Sequence, residues 1–386
     1  MLMLCLLYVS LMGHVADSTV VLMPDTARGS GSVPVREGFF RRLYRYFDQS
    51  NIDRTGQKRF DISFAVGPNY STNTKFGLGI LAAGLYRMDR SDTLLSPSDV
   101  SVFGNVSTTG YYQVGVEGNT FFPGGRHRLG YEVSFYSQPT DFWGIGYTAG
   151  STGTRRSYTL KQYRMRADYK YNMGRNCFIS GGVSFFKFTA GRSIGRWLPA
   201  GQKLDYTYTG LGIAFEYDSR DFIPNPYRGA YVKIHAQVFP AGLGSAETFC
   251  RFGFSADCYR RLWQGGILAC DLTAEFNAGK AVPWVMLSEL GGSRRMRGYY
   301  KGRYRDKNSA VLQVELRQKI YRRHGVAMWA AAGNVFPDFK RISFAHTLPE
   351  IGIGYRFEFK NRINIRLDMG VGRNGTGINF NVNEAF

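Results

Sequence analysis

The sequence predicts an all-β fold, a transmembrane antiparallel β-barrel of about 16 strands. Three observations support this prediction. Apolar and polar residues alternate with a period of two from residue 59 onward. The later connections between the alternating segments are long and short in turn, as in membrane barrels. The composition, with 47 Gly, 25 Tyr and 29 Phe, suits strands and tight turns better than helices.

The alternation marks sixteen candidate strands, and several are regular over their whole length. In one of the last segments, Ile365, Leu367 and Met369 share one face, while Arg366 and Asp368 share the other. The predicted strands span 60–67, 75–86, 98–107, 110–120, 127–137, 157–171, 176–188, 204–219, 229–239, 247–260, 265–279, 309–320, 324–335, 349–359, 362–373 and 376–385.

The connection lengths indicate which medium surrounds the barrel. Alternation alone does not, because a soluble barrel also has one apolar face. With the N-terminus in the periplasm, the long connections 138–156, 189–203, 280–308 and 336–348 all fall outside the cell. Closure also removes edge strands, which lipid does not tolerate. We therefore expect a barrel in a bacterial outer membrane, in contact with its lipid.

Two segments precede the predicted barrel, which spans 59–386. Residues 1–16 form a short apolar stretch followed by small residues, which is typical of a signal peptide, and a buried helix is the alternative. Residues 17–58 are predicted to be a periplasmic segment. Within it, apolar residues of 36–51 recur at helical spacing among arginines, which predicts a short basic amphipathic helix on the membrane surface, inside the barrel or on its turns.

Charge and cysteine usage exclude several classes of partner. The formal net charge is +20, but the basic residues are spread over alternating strands, so no nucleic-acid partner is predicted. Of the five cysteines, four follow the predicted signal peptide: Cys177, Cys250, Cys258 and Cys270. They have no CxxC spacing and the histidines are far apart, so we predict neither a metal site nor a cofactor. The last three lie on apolar strand phases and are expected to face lipid.

Two smaller patterns concern the strand ends. Phe380, Val382 and Phe386 share one phase of the last segment, interrupted by Glu384. A terminal aromatic residue after an alternating strand resembles the signal that assembly machinery recognises in outer-membrane barrels, so we expect that machinery to be a partner. Elsewhere, Asp218, Arg220 and Asp221 lie at the end of a predicted strand, beside a turn, and are expected to form a salt bridge that closes the turn.

The segment 291–318 carries a motif of a hydrophobic residue, Arg, Gly and an aromatic residue: Met296, Arg297, Gly298 and Tyr299. Three further stretches are read together with this motif: YDSRDFIPNPYRGAYVKI (217–234), Glu315-Leu316-Arg317 on the strand after the loop, and AAGNVF (331–336). Together they resemble the BamA/TamA superfamily, the bacterial surface antigen family, over about residues 59–386. Since no large segment precedes the barrel, we expect a member without POTRA domains.

The motif predicts how the long loop 280–308 is held. A loop of this length needs an anchor, and Arg297 offers a planar fork of five donors to an inward carboxylate. Glu315 is the first candidate, because it lies on the inward phase of the next strand. The resemblance implies that the loop folds into the lumen, with Gly298 and Tyr299 shaping its tip.

The family pattern also has a second wall carboxylate, at a position that is Ala331 in this chain. Either Glu358 or Asp368, also on inward phases, replaces it, or the loop is held less firmly in this chain. A solvated Arg297 among the other basic loop residues is the alternative interpretation.

The resemblance implies a function in outer-membrane protein or lipid assembly or translocation. A seam between the first and last strands would open, and a separate periplasmic subunit is a candidate partner. The alternative is a surface barrel without insertase activity, or an anion-preferring pore. We expect no enzyme: His235 lies on an inward phase with Lys233 and Gln237, but no Ser-centred motif accompanies it.

Overall fold

The structure, a computed structural model, describes residues 60–89, 97–245 and 247–386. In this part of the chain sixteen strands form one closed antiparallel barrel, each paired with its neighbours and the last closing on the first. The predicted fold class is confirmed. The predicted signal peptide, 1–16, and the predicted periplasmic segment, 17–58, lie outside the described residues.

The barrel strands are separated by long loops on one side and short turns on the other. They are β1 (Asp61–Ser71), β2 (Lys75–Tyr86), β3 (Ser98–Ser107), β4 (Tyr112–Phe121), β5 (His127–Phe142), β6 (Arg156–Gly174), β7 (Cys177–Ala190), β8 (Asp205–Asp218), β9 (Gly229–Phe239), β10 (Phe249–Trp263), β11 (Gly266–Gly279), β14 (Asn308–Tyr321), β15 (His324–Phe336), β16 (Leu348–Lys360), β17 (Ile363–Gly372) and β18 (Gly375–Val382).

The loops contain short regular elements. Within the loop between β11 and β14, β12 (Ser288–Glu289) pairs with β13 (Arg305–Asp306). The helix α1 (Tyr147–Thr152) lies between β5 and β6. Short 3-10 helices span Arg192–Trp197, Ala241–Leu243, Trp284–Met286, Phe339–Arg341 and Phe344–His346. Within the described ranges, no helix is long and apolar enough to cross a membrane.

Several strand ends differ from the prediction by a few residues, as at β1, which continues beyond the predicted 67 to Ser71, and two further cases have a clear local cause. β5 continues beyond the predicted 137 to Phe142, where it pairs with β6 but no longer with β4. Pro139 lies in this one-sided stretch, where a missing N–H leaves the outer edge unpaired rather than breaking a central ladder. The last strand ends at Val382, not at 385, because Asn383 has a left-handed backbone with φ 67° and turns the chain away.

The two faces of the wall are the reverse of those in a soluble barrel. Large apolar side chains point outward and are exposed, among them Phe64 at 63%, Ile213 at 69% and Ile351 at 66%. Asp271 and Gln313 point inward and have no exposed surface. An apolar exterior around a polar interior is stable when lipid surrounds the barrel, so the structure agrees with a transmembrane position.

Aromatic residues fill part of the extracellular end of the lumen. Trp284, in the loop after β11, is 1% exposed and donates its indole N–H to the Lys203 carbonyl over 3.0 Å. Around it packs a buried cluster that we call the roof: Phe142, Tyr158, Phe188, Ala190, Ile194, Tyr206, Tyr208, Phe239, Phe249, Val282, Trp284, Met286 and Leu287. The roof joins the ends of β5 to β10 to the start of the long loop.

Candidate functional site

The loop between β11 and β14 folds back into the lumen as a hairpin. Below the β12–β13 pair, the Leu290 amide donates to the Tyr304 carbonyl over 3.0 Å, and the Gly302 amide donates to the Leu290 carbonyl over the same distance. At the end of this hairpin the Tyr299 amide donates to the Met296 carbonyl over 3.0 Å. The motif predicted from the sequence therefore forms the turn at the tip of the loop.

Arg297 anchors this tip to two strands of the wall. Its Nη1 donates to Asp368 Oδ2 on β17 over 2.8 Å, and its Nη2 donates to Glu315 Oε2 on β14 over 2.5 Å. The guanidinium also lies 3.5 Å from the ring centroid of Trp329. Burial alone would lower the pKa of Arg297, but the carboxylates of Glu315 and Asp368 outweigh it and hold the pKa above its usual value. Arg297 is thus a buried, paired cation.

The anchor belongs to a larger buried network of charges. Four guanidinium groups (Arg297, Arg317, Arg356 and Arg366) share the carboxylates of Glu315, Asp368 and Glu384. For example, Arg356 donates to Asp368 over 2.6 Å and to Glu384 over 2.8 Å. Because each buried charge needs compensation, the network ties the loop tip, β14, β16, β17 and the C-terminal residues into one unit.

Gly298 lets the loop backbone lie directly on the wall. A Cβ at this position would be 2.9 Å from backbone atoms of Gly370, Val371 and Gly372. The Gly298 amide donates to Glu350 Oε1 over 3.0 Å. On the wall side, a Cβ at Gly377 of β18 would be 1.9 Å from the Arg297 carbonyl oxygen. Only glycine fits at these contacts without a backbone shift.

The residues that flank Arg297 and Gly298 complete the seat of the tip. The Tyr299 hydroxyl donates to the Pro349 carbonyl over 2.6 Å and accepts from the Arg373 amide over 2.9 Å. Met296 is fully buried and adopts a left-handed backbone conformation with φ 49°, which is unfavourable for a residue with a Cβ. The surrounding contacts offset that cost, as expected for a tip whose conformation is fixed by the wall.

Two of the three predicted partners of Arg297 lie at the anchor, and the third lies elsewhere. Glu315 and Asp368 both lie at the anchor, while Glu358 does not, and its inclusion was wrong. Glu358 instead pairs with Lys319 over 2.5 Å at the periplasmic end. The predicted inward face of Glu358 was correct, but its height in the barrel was not. The register partner of Asp368 on β16 is Gly354, which is four residues from Glu358 and so roughly 13 Å from it along the strand.

Sequence reasoning missed Glu350 and Trp329. Glu350 accepts from both the Gly298 amide and the Trp329 indole N–H, the latter over 2.9 Å. Trp329 is 4% exposed, since its ring lies beneath the Arg297 guanidinium. The alternation of the sequence places Glu350 on the inward face of the strand next to that of Asp368, and this was the signal that could have identified it.

The predicted turn salt bridge is present in part. Arg220 Nη2 contacts Asp218 Oδ2 over 2.6 Å. Asp221, however, does not join this pair: its Oδ1 accepts from the Tyr227 amide over 2.9 Å, and its Oδ2 pairs with Arg362 over 2.8 Å. Asp221 therefore links the turn 219–228 to the turn between β16 and β17.

That link is part of a set of contacts at the periplasmic mouth that we call the latch. Arg362 also donates to the Asn225 carbonyl over 2.8 Å and lies 4.0 Å from the ring centroid of Tyr227. The Glu384 amide donates to the Pro224 carbonyl over 3.2 Å. Phe222 packs on a small apolar group formed by Ile363, Ile365, Phe380 and Val382. The latch thus draws the end of β18 toward the turn after β8.

The C-terminal residues do not continue the last strand as predicted. Phe380 and Val382 lie in or at the latch, whereas Phe386 lies beside Arg317, whose guanidinium is 5.4 Å from its ring centroid. Glu384, which interrupted the apolar phase, is a buried partner of Arg356. The turn at Asn383 places Glu384 and Phe386 inside the periplasmic mouth. Their predicted use as an assembly signal stays a prediction.

The barrel closes through a short seam. In the described chain β1 and β18 pair at two positions, Tyr70 with Phe380 and Ser71 with Asn379. The Thr72 hydroxyl adds a hydrogen bond of 3.1 Å to the Ile378 carbonyl. These contacts lie at the extracellular end of β1 but near the periplasmic end of β18, which finishes at Val382. Toward the periplasm, β1 is paired with β2 alone.

The fold and the anchored loop together define an outer-membrane barrel with an internally locked extracellular loop. The Omp85 superfamily domain matches residues 100–383, and the chain belongs to that superfamily. Its place is therefore the outer membrane of a Gram-negative bacterium. No curated protein matches the chain.

Solved structures show the same fold at low sequence identity. BamA from Haemophilus ducreyi lacking POTRA domains 1–3 matches with a TM-score of 0.59 at 13% identity, over 84% of this chain and 70% of that one. CdiB from Escherichia coli matches with a TM-score of 0.59 at 13% identity, over 83% and 62%. CdiB from Acinetobacter baumannii matches with a TM-score of 0.55 at 11% identity, over 85% and 60%. This chain spans about three fifths of the length of the CdiB chains.

Proposed function

We propose that this protein assembles or translocates outer-membrane protein or lipid by opening the seam between β1 and β18. The observation that carries the proposal is the uneven pairing around the barrel. β1 and β18 share two register pairs in the described chain, whereas β5 and β6 are paired from His127–Tyr171 to Phe142–Arg156. Each ladder position adds hydrogen bonds and cross-strand contacts, so the seam is the place where opening costs least free energy.

The side chains at the seam also favour opening. Pro68, at the unpaired end of β1, has no amide hydrogen to donate to a neighbouring strand. Next to it, the buried side-chain amide nitrogens of Asn69 and Asn381 have no hydrogen-bond partner within the described residues. A buried donor without a partner costs about 1–3 kcal/mol, so this part of the closed seam is not optimised for stability.

A reversible cross-link tests the proposal. In a background with the native cysteines replaced by serine, Tyr70→Cys with Phe380→Cys would lock the seam, because these residues are register partners. We expect oxidised cells to lose other outer-membrane proteins or lipid from the membrane, and a reductant to restore them. The matched control, Val66→Cys with Ile80→Cys, joins β1 to β2 within a fully paired hairpin and should have no effect.

Normal outer-membrane composition in cells whose seam is cross-linked would overturn the proposal. The same holds if depletion of the protein changes neither protein nor lipid in the outer membrane. The proposed function requires no catalytic step on the cargo.

An anion-preferring pore is the second candidate. Its support is the basic chain and its polar lumen wall, on which a cavity of about 360 Å³ is lined by Arg128, Arg166, Lys170 and Lys233 together with carboxylates. Against it stands the roof around Trp284, which occupies the extracellular end. Single-channel recording decides: a silent native barrel that conducts after Trp284→Ala rejects the pore, while steady anion-selective conductance of the native protein favours it.

A separate periplasmic subunit is proposed as a partner. A cavity of about 710 Å³ opens at the periplasmic end and is lined by Arg261, Lys319 and Arg322, which favours a partner with an acidic surface. A pulldown of the native barrel from detergent-solubilised outer membranes tests this. Recovery of the barrel alone, at low ionic strength and after mild cross-linking, would argue against a dedicated subunit.

A further inference from the structure

Two cysteines face each other across neighbouring strands of the wall. Cys258 on β10 is the register partner of Cys270 on β11, and the two strands are joined by a tight turn after Trp263. Both side chains are thiols in the structure. Cys250, on the same face of β10, has Val238 and Ala278 as its register partners and so no opposed thiol.

The register places these thiols within reach of a covalent bond. Directly opposed residues of an antiparallel pair have Cα atoms about 4.5 or 5.5 Å apart, depending on the ladder position. Disulfides span Cα distances of about 4.4–6.8 Å, and both ladder spacings fall within that range. The side chains lie on the outward face near the periplasmic end of the hairpin, and Cys258 is exposed.

The compartment through which the protein passes provides the oxidant for this bond. An outer-membrane barrel passes through the periplasm, where thiol oxidation is maintained, before it is inserted. We infer that Cys258 and Cys270 form a disulfide that cross-links β10 to β11 in the native protein. The oxidant is the disulfide of a periplasmic thiol oxidoreductase. Its two sulfurs are reduced to thiols and take up the two protons and two electrons that Cys258 and Cys270 lose as their S–S bond forms.

The cross-link would hold one hairpin of the wall in register. It closes the chain from Cys258 to Cys270 around the β10–β11 turn, so that a one-residue slip of this hairpin is prevented before and during insertion. In the strand order this hairpin is far from the seam between β1 and β18. The bond therefore reinforces a part of the wall that stays closed when the seam opens.

Counting thiols before and after reduction tests the inference. Outer membranes are quenched with N-ethylmaleimide, and the protein is denatured, then alkylated with or without prior reduction and weighed by intact mass spectrometry. We expect reduction to expose two additional thiols. The variant C258S/C270S should show no gain, whereas the matched variant C177S/C250S should keep the full gain of two.

Three results would overturn the inference: no gain in the native protein, a gain that persists in C258S/C270S, or a gain that disappears in C177S/C250S. The last two would show a different pairing. Heat-modifiable gel mobility of each variant confirms that the barrel is folded, which is expected because serine at these outward positions leaves the lumen network intact. A linking peptide that joins the Cys258 and Cys270 fragments in a non-reduced digest would identify the bond directly.

Discussion

The two strands that meet at the seam are held very differently. β18 pairs with β17 at eight positions from Ile365–Val382 to Gly372–Gly375, lies against the loop tip through Gly377, and ends in the latch. β1 pairs with β2 along its length, and the loop reaches the turn after it through a longer hydrogen bond, 3.4 Å from the Lys301 amide to Asn73 Oδ1.

This contrast indicates which edge of an opening barrel stays fixed. Buried charges and close backbone contacts secure β18 to the interior, and breaking them costs far more than separating two ladder positions. The β1–β2 hairpin has no comparable attachment to the loop tip among the described contacts. We therefore expect the seam to open by movement of β1, while β18 and the locked loop stay together.

Arg297→Ala should have the largest effect on this asymmetry. It removes both bonds of the loop tip to Glu315 and Asp368, and breaking a buried pair costs up to about 3–5 kcal/mol. Arg317, Arg356 and Arg366 still compensate the two carboxylates, so the loss falls on the attachment of the tip. The loop tip should leave the wall, so that proteases reach residues 293–300 and the thermal unfolding midpoint falls. Lys301→Ala, at an exposed position of the same loop, is the control and should behave as the native protein. A native digestion pattern for Arg297→Ala would refute the anchor.

Gly377→Ala should displace the loop tip from β18. The new Cβ would lie 1.9 Å from the Arg297 carbonyl oxygen, and overpacking of this kind costs about 1–3 kcal/mol. Amide hydrogen exchange of β18 should become faster. Gly375→Ala provides a matched control on the same face, because its Cβ would be 3.6 Å from the Gly298 carbonyl oxygen, an ordinary contact. Equal exchange in both variants would show that the tip does not restrain β18.

Arg362→Ala should loosen the latch. It removes the contacts of the guanidinium with Asp221, the Asn225 carbonyl and the Tyr227 ring. The side chains of Arg362 and Asp221 are partly exposed to solvent, so we expect a loss of about 1 kcal/mol. Hydrogen exchange should rise in the last residues of β18 but not in β14. Arg322→Ala changes the equivalent position of the neighbouring turn, which also has a positive φ, and should leave exchange unchanged. A uniform rise in both variants would contradict the latch.

Asp218→Asn should have the smallest effect. Its ion pair with Arg220 is a local, half-buried contact at the end of β8, and asparagine still offers the guanidinium an acceptor oxygen, so we expect a loss of about 1 kcal/mol or less. Chemical unfolding in detergent should show a shift within that range, with the loop tip still protected from proteases. A loss as large as that of Arg297→Ala would mean that this turn, rather than the loop anchor, carries the stability of the mouth.

The site could be predicted in part. Residue phase is local, so the sequence was sufficient to place Glu315 and Asp368 on the inward face, and the family resemblance identified Arg297 as their partner. The height of a wall residue relative to the loop tip is not a local property. It depends on how far the loop descends into the lumen, which is why Glu358 was wrongly included and Glu350 was missed. The latch joins turns that are far apart in sequence, so the periodicity of either turn gave no sign of it.

The class of fold, the number of strands and the face on which each side chain lies follow from the amino-acid sequence alone, because a two-residue period and the order of long and short loops are properties of the chain. The position of the weak closure and the strand that the loop secures emerge only from the folded barrel. Those depend on register and on distances between remote strands, since the energy of a ladder or of a buried charge exists only once both partners are in place.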